Sequence, residues 1–576
     1  MLMITCFYPG GGSVSRYEDR RNDENSGYGG YGGYNSGFDD GRKERTEENH
    51  APRDFKPTER NVQDIFDEDK EDVKKNTATI FDADSEVKIE ETNESLHCDS
   101  WAEMNLHPSL MENIINSDYI RPRKIQQKTI PYVLEGYDVK CQGETGSGKT
   151  AAFLIPVIQK MIEEKEQGQL SRDGPICLII APTRELVSQI YEQAKKFTYN
   201  TEISVARAYG EYNMHQNRAD IQRGCNILCG CIGRLMHFVE DGDVKLETIK
   251  FLILDEADRM LMERNNSDIL RLFNFPELPN KDKRQTLLFS ATLRDPMVMD
   301  LTRIYMNTEK SVLITATSQS NKRVNYKIFA VPSAPAKYRY LVKYMKQITE
   351  ENGGEVPRTL IFVNQKKNTD RVAVECTKGG FPATTIHGDR GQHLREEALQ
   401  SFRSGKTRCL VATDVCARGV DIKEMDHVIN YELPTDKEGF IQRSGRTGRT
   451  HNGTAMSFYF EGDDRSMAAE IAKIIQQNGQ EAPGFLSSYV NESDYNFGLG
   501  SEAAEPKENQ NNDKSYSNNE NGYNQSSSNG YGNSTTPPPY HAQQRETNSE
   551  EVPPATSQQS PTSSAIHDST ADEEWN

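Results

Sequence analysis

Between residues 101 and 490, short apolar runs alternate with longer stretches in which apolar positions return every three or four residues. The first pattern suits a strand buried on both faces and the second a helix lying against it. Their repeated alternation predicts strand and helix units around parallel sheets, an α/β fold. The run FLILDEADRM, residues 251–260, is the sharpest case: four apolar residues lead straight into Asp255, Glu256 and Asp258. Three like charges at one strand end repel, so a cation or a set of donors is expected beside them.

Outside that span the periodicity lapses. Residues 1–100 carry SGYGGYGGYNSGF at 26–38 and then mixed charge with few clustered apolar positions, too few to offset the entropy of ordering a chain. From 491 to 576 the composition turns to Asn, Gln, Ser, Pro and Glu. Both ends are predicted to be disordered, and their Tyr-Gly stretches, aromatic groups on flexible spacers, suit weak multivalent association.

Of the 576 residues, the 390 between the tails fit two domains of roughly 190 residues each. The net charge of −19 divides into −11 for residues 1–100, +3 for 101–490 and −11 for 491–576. The acidity therefore lies in the ends. A core at +3 makes only a weak electrostatic case for a polyanionic partner, although NKRVNYK at 321–327 and the arginines of 390–408 are locally basic. No apolar run is long enough for a membrane-spanning helix, and MLMITCFYPGGG does not read as a secretory signal, so the ten scattered cysteines point to a reducing compartment. Cys225, Cys229 and Cys231 lack a fourth ligand at close spacing and are expected to be buried thiols rather than a zinc site.

A cation for the acidic strand end is available upstream. In CQGETGSGKTAAFLIP, Gly143, Gly148, Lys149 and Thr150 satisfy the phosphate-loop spacing between a strand-like and a helix-like run. Gly143, Glu144, Thr145, Gly146, Ser147 and Gly148 would wrap the phosphates, Lys149 would reach the terminal ones, and the Thr150 hydroxyl would ligate magnesium. Asp255 would hold Mg²⁺ through water, with Glu256 as the base that activates the attacking water. A nucleotide and Mg²⁺ are therefore the expected substrate and metal.

DEAD at 255–258 together with GETGSGKT resembles the DEAD-box ATP-dependent RNA helicases of superfamily 2, and further motifs follow in that family's order. The resemblance implies that the nucleotide is ATP. It implies two RecA-like α/β domains in tandem, at 101–318 and 327–490, joined by a linker at 319–326 and flanked by the disordered tails. It implies that Tyr119 stacks on adenine and Gln126 bonds its edge, from YIRPRKIQ. It implies RNA-backbone contacts from Pro182, Thr183, Arg184 and Glu185 (APTRELVSQ), Gly210, Gly233 and Arg234, and on the second domain Arg390, Gln392, Arg395 and Thr413. Asp258 with Ser290 and Thr292 of SAT would couple the nucleotide state to RNA. Gly419 and Asp421 would face the nucleotide, and Arg446 and Arg449 would reach across the cleft as catalytic arginine fingers, making hydrolysis conditional on domain closure.

Four departures from the family pattern stand out. CIGRL at 231–235 lacks the usual Thr and Pro, Arg123-Lys124 replaces Thr-Pro, Gln442 replaces His, and Gly210-Glu211 replaces Gly-Gly. The last puts a carboxylate near expected RNA phosphates. The Gly/Tyr-rich arm, LDEADRML and the ending Asp572-Glu573-Glu574-Trp575 resemble Vasa and its germline relatives. That resemblance implies a cytoplasmic helicase of ribonucleoprotein germ granules in germ-cell development, with single-stranded and duplex RNA and granule proteins as partners and a monomeric core; nothing in the sequence bars entry to the nucleus. The alternatives are a general translation or ribonucleoprotein-remodelling helicase, or an ATP-gated RNA clamp of condensates with low turnover.

Overall fold

The computed structural model describes residues 55–82, 86–144, 146–171, 173–262, 266–293, 295–316, 323–414, 425–448 and 451–490. The strands, in chain order, are β1 (Val87–Glu90), β2 (Asp138–Gln142), β3 (Cys177–Ile180), β4 (Val205–Ala208), β5 (Ile227–Gly230), β6 (Phe251–Asp255), β7 (Gln285–Ser290) and β8 (Ser311–Ala316). They form one sheet in the order β1-β8-β2-β7-β6-β3-β5-β4. β9 (Val324–Ala330), β10 (Thr359–Phe362), β11 (Ala383–Ile386), β12 (Cys409–Ala412), β13 (His427–Asn430) and β14 (Gly453–Tyr459) form a second sheet, ordered β11-β12-β10-β13-β14-β9. Every pairing is parallel except that of β1 with β8.

Helices cover both faces of the first sheet, which is why its central strands read as unbroken apolar runs. All five residues of β6 are buried. Successive side chains divide between two cores: Phe251 and Ile253 join Cys177 and Ile179 on one face, while Leu252 and Leu254 join Leu178 and Ile180 on the other. In the second sheet Ile361 and Leu360 divide in the same way. Among the described residues no helix is long and apolar enough to cross a membrane.

The N-terminal hundred residues are not uniformly without structure, which corrects the expectation for 55–82 and 86–100. A helix spans Val62–Asp82 and lies against the helix Arg184–Phe197. It buries Ile65 and Phe66 and places Asp69 on the ammonium of Lys196, which is 0% exposed. Ahead of it, Glu59 accepts from Tyr191 Oη, Lys195 Nζ and Arg207 Nη2 at 3.0, 2.9 and 3.0 Å. Burial opposes the Glu59 charge, but Arg207 and Lys195 outweigh it and hold the carboxyl below its ordinary range. β1 extends the sheet as an edge strand, with Val87 and Ile89 packed on the core between outward Lys88 and Glu90. What docks this segment is paired charge and a few apolar contacts, and composition does not register either. Residues 1–54 and 491–576 lie outside the described residues. The expected linker at 319–326 also needs correcting, because Val324, Asn325 and Tyr326 belong to β9 and pair with β14, while 319–322 lie outside the described residues.

Asp69→Ala should leave Lys196 charged and buried without its counter-ion, lowering unfolding free energy in denaturant titration by about 3 kcal/mol. A loss under about 0.5 kcal/mol would show that the helix is only resting on the domain.

Candidate nucleotide and nucleic-acid site

The C-terminal ends of β2, β6 and β7 converge, and the loops that leave them build the site. After β2 the chain turns through Gly143 to Gly148 into the helix Lys149–Glu166. Gly146 and Gly148 take φ of 83° and 97°, a region closed to most side-chain-bearing residues. A Cβ on Gly148 would stand 2.7 Å from Gln126 Nε2. Gly143 N–H donates to Ser290 O at 3.0 Å, tying the loop to the end of β7. Lys149 is buried and donates to Gly143 O at 2.5 Å, curled inside its own loop. Ser147 Oγ is buried without a hydrogen-bond partner, Thr150 is half-buried one residue into the helix, and Glu144 is exposed. Thr145 lies outside the described residues.

At the end of β6, Asp255 is buried and its carboxyl is pushed up to about 6, chiefly by burial, with Lys149 pulling the other way and Glu256 and Asp258 adding to the rise. Glu256 has φ 55° and a buried Oε2 without a hydrogen-bond partner. A buried acid near a hydroxyl without a hydrogen bond and a carboxylate oxygen whose ion-pair partner, Arg259 Nη1, is 3.7 Å away fits a hard divalent cation with oxygen ligands. Asp258 accepts from Thr292 N–H at 3.1 Å and Thr292 Oγ1 at 2.7 Å, and Ser290 Oγ donates to Thr292 O at 2.9 Å. The acidic strand end and the SAT segment are thus directly bonded.

Gln126 caps its own helix, accepting from Arg123 N–H at 2.9 Å, and donates to Gly148 O at 3.2 Å. Arg123, a departure from the family pattern, reaches Gly146 O of the phosphate loop. Tyr119 packs edge-on to Phe197 with ring centroids 6.1 Å apart, and its hydroxyl accepts from Lys196 at 3.3 Å. The N-terminal helix therefore reaches Tyr119 through the Asp69–Lys196 pair.

The two halves meet along a seam of paired charge. Thr183 caps the helix Arg184–Phe197, accepting from Leu186 N–H at 3.3 Å, and Pro182 precedes it. Glu185, 2% exposed at its side chain, accepts from Arg395 Nη2 of the second half at 2.6 Å and from Gln392 Nε2 at 3.3 Å. Arg184 lies over Gly210 and pairs with Glu211 at 2.7 Å. Arg234 donates to Tyr212 O at 3.0 Å, and Gly233 borders open space. Of the expected RNA contacts, Arg184, Glu185, Gly210, Gln392 and Arg395 come together here. Arg390 instead donates to Thr385 O at 2.8 Å, and Thr413 presents a buried, unbonded Oγ1 at the end of β12. Burial, with the Glu144 charge, pushes the Tyr326 hydroxyl of β9 up to about 12.

Arg446 is buried, while Arg449, Gly419 and Asp421 lie outside the described residues. Arg443, in the same QRSGRTGR motif, had no expected role. Its Nε and Nη2 bond both Asp414 oxygens at 2.6 Å, and it also donates to Asn364 Oδ1 at 2.8 Å and Glu432 O at 2.7 Å. It holds three loops of the second half together, and its place in an arginine-rich motif was the available signal. Cys225, Cys229 and Cys231 are free thiols whose pKa burial raises, and among the described residues no His, Cys, Asp or Glu cluster could hold a metal on its own.

A phosphate loop opening onto an acidic strand end, with a second parallel α/β domain across the seam, defines a two-domain nucleotide-binding protein. The chain belongs to the DEAD/DEAH box helicase family, which it matches over residues 123–301, and it matches the helicase conserved C-terminal domain over 336–451. It is 35% identical over 446 residues to the ATP-dependent RNA helicase glh-1 of Caenorhabditis elegans, covering 75% of this chain and 58% of that one. To the ATP-dependent RNA helicase DDX4 of Mus musculus it is 38% identical over 402 residues, covering 68% and 56%. The chain thus spans a little over half the length of these relatives. It resembles the solved structures of the DEAD-box helicase Mss116 bound to ssRNA and UDP-BeF (TM-score 0.60, 25% identity, 67% of this chain and 81% of that one) and of Saccharomyces cerevisiae Dbp5 bound to RNA and ADP BeF3 (TM-score 0.57, 25% identity, 67% and 96%).

Lys149→Ala should weaken Mg·ATP binding at least about tenfold in a fluorescent-nucleotide titration, because the loop loses its one buried ammonium. Gly148→Ala should do the same by forcing Gln126 aside. Unchanged affinity in both would remove the nucleotide from this loop.

Proposed function

We propose that the chain is an ATP-dependent RNA helicase that opens short duplexes and remodels ribonucleoprotein complexes by local, non-processive domain closure. The observation that carries this reading is the seam: Glu185 of the first half and Arg395 of the second, both from segments expected to touch the RNA backbone, are buried on each other. Burying such a pair is favourable only when both halves arrive together, so nucleotide and RNA would each draw the protein toward the same closed form. Relatives and structural neighbours described as RNA helicases, or as bound to RNA, support the same substrate.

In this reading Lys149 and the loop amides receive the ATP phosphates, and Glu256, with its unbonded Oε2, orients water and takes its proton. Asp255 and Thr150 would hold Mg²⁺, which would neutralise charge on the phosphate oxygens. Arg446 adds positive charge from the second half, with Arg449 assigned the same task. The Asp258–Thr292 bond relays loss of the terminal phosphate to the segment leaving β7. Tyr119 and Gln126 are assigned to the adenine, and backbone contacts from Thr183, Arg184, Gly233, Arg234, Arg390 and Thr413 imply little sequence preference.

We further assign it to cytoplasmic germ granules in germ-cell development, on the resemblance of its Gly/Tyr-rich arm, LDEADRML and acidic Trp-containing ending to Vasa-like proteins. Residues outside the described set would supply the multivalent contacts with granule proteins.

Steady-state ATP hydrolysis by the full chain should rise several-fold with single-stranded RNA. Glu256→Gln should cut turnover at least about 100-fold while retaining both ligands. Binding of ATP and RNA with negligible hydrolysis by the unaltered chain would favour the clamp over the helicase.

A further inference from the structure

Glu211 stands where the resemblance expects a second glycine, and it keeps a glycine-like backbone with φ 68°. That region disfavours any residue with a Cβ, so the position holds a carboxylate against a local conformational penalty. Its side chain crosses the seam. One oxygen lies 2.7 Å from Arg184 Nη1 in its own domain, and the other accepts from the Gln392 backbone N–H of the second domain at 2.7 Å.

Gln392 is the first residue of the helix Gln392–Arg403, whose N-cap, Gly391, has no side chain to bond the helix amides. Glu211 supplies that acceptor from the other domain, at the positive end of the helix dipole. Arg395, one turn along and paired with Glu185, adds its charge from nearby. Burial raises the Glu211 pKa, but the bonds from Arg184 and Gln392 outweigh it and keep the group ionised below the usual carboxylate range. A guanidinium and a helix-terminal amide from opposite domains thus converge on one anion. Both side chains of the Arg184–Glu211 pair remain 27% exposed, so a polyanion can reach the spot.

We propose that Glu211 is a built-in stand-in for an RNA phosphate: it fills the anion position between Arg184 and the N-terminus of the helix Gln392–Arg403, holds the domains together without RNA, and must be displaced for RNA to bind. This rests on the reading of Arg184 as an RNA-backbone contact. Glu211 would then be a positioning residue that sets how much RNA is needed to drive closure, lowering RNA affinity while raising RNA-free turnover.

The test uses the full chain, unaltered and as Glu211→Gln and Glu211→Gly, with a single-stranded uridine oligonucleotide and a non-hydrolysable ATP analogue with Mg²⁺. Binding is followed by anisotropy across a series of salt concentrations, and RNA-free ATP hydrolysis is measured alongside. Both variants should bind RNA about tenfold more tightly. The slope of log K against log salt should steepen by about 0.7, one more phosphate neutralised, and RNA-free hydrolysis should fall. Glutamine keeps the shape and glycine relieves the backbone, so agreement between them assigns the effect to charge. If the unaltered chain binds RNA and the variants match it in affinity or in slope, the proposal is overturned and the helicase reading stands. If none of the three binds RNA, the assignment of Arg184 fails and the proposal falls with it.

Discussion

Glu185 and Arg395 come from different domains and pair at 2.6 Å with their side chains almost wholly removed from water, 2% and 7% exposed. Desolvating each costs several kcal/mol, and only a well-placed partner recovers it. The seam is therefore selective: a partial approach of the halves would strip solvent without completing the pair. In the proposed cycle that constraint makes closure close to all-or-none. Glu185 starts the helix that follows β3, and β3 pairs directly with β6, whose end carries Asp255 and Glu256. Glu185 and the Asp255–Glu256 pair thus leave neighbouring strands of one sheet.

The phosphate-loop side shows the complementary arrangement, buried polar groups that do not bond one another. Asp255 is raised to about 6, Glu256 Oε2 and Ser147 Oγ lack hydrogen-bond partners, with Arg259 Nη1 3.7 Å from Glu256 Oε2, and Lys149 donates to Gly143 O. Buried polar groups are normally satisfied, and under the proposed function the exceptions beside the phosphate loop are groups that a polyphosphate and its cation would engage. By contrast, Asp258, Thr292 and Ser290 are fully bonded to one another.

Much of this was legible in the chain. The phosphate loop, the FLILD strand and the alternation of apolar runs follow from local spacing, and local spacing survives folding. Arg184, Glu185, Gln392 and Arg395 could be placed in motifs, but that they would bond one another could not be read, because the contacts join residues some two hundred positions apart. Residues 55–82 and 86–100 were misread for a related reason. Their docking rests on Asp69, Glu59 and a handful of apolar side chains, whose partners Lys196, Arg207 and the β8 edge lie far along the chain. In the sequence Glu211 reads as a carboxylate set against RNA phosphates; the position of Gln392 N–H shows it to be a bonded one.

If closure is the event that both ligands favour, their affinities must be linked reciprocally. The most direct test is a paired titration of the full chain: the Kd of a non-hydrolysable ATP analogue measured with and without saturating RNA, and the Kd of RNA with and without the saturating analogue. The account predicts that each ligand tightens the other by the same factor, at least about fivefold. Independent binding, with neither Kd moved by the other ligand, would contradict it and leave the buried Glu185–Arg395 pair as a static joint between two domains.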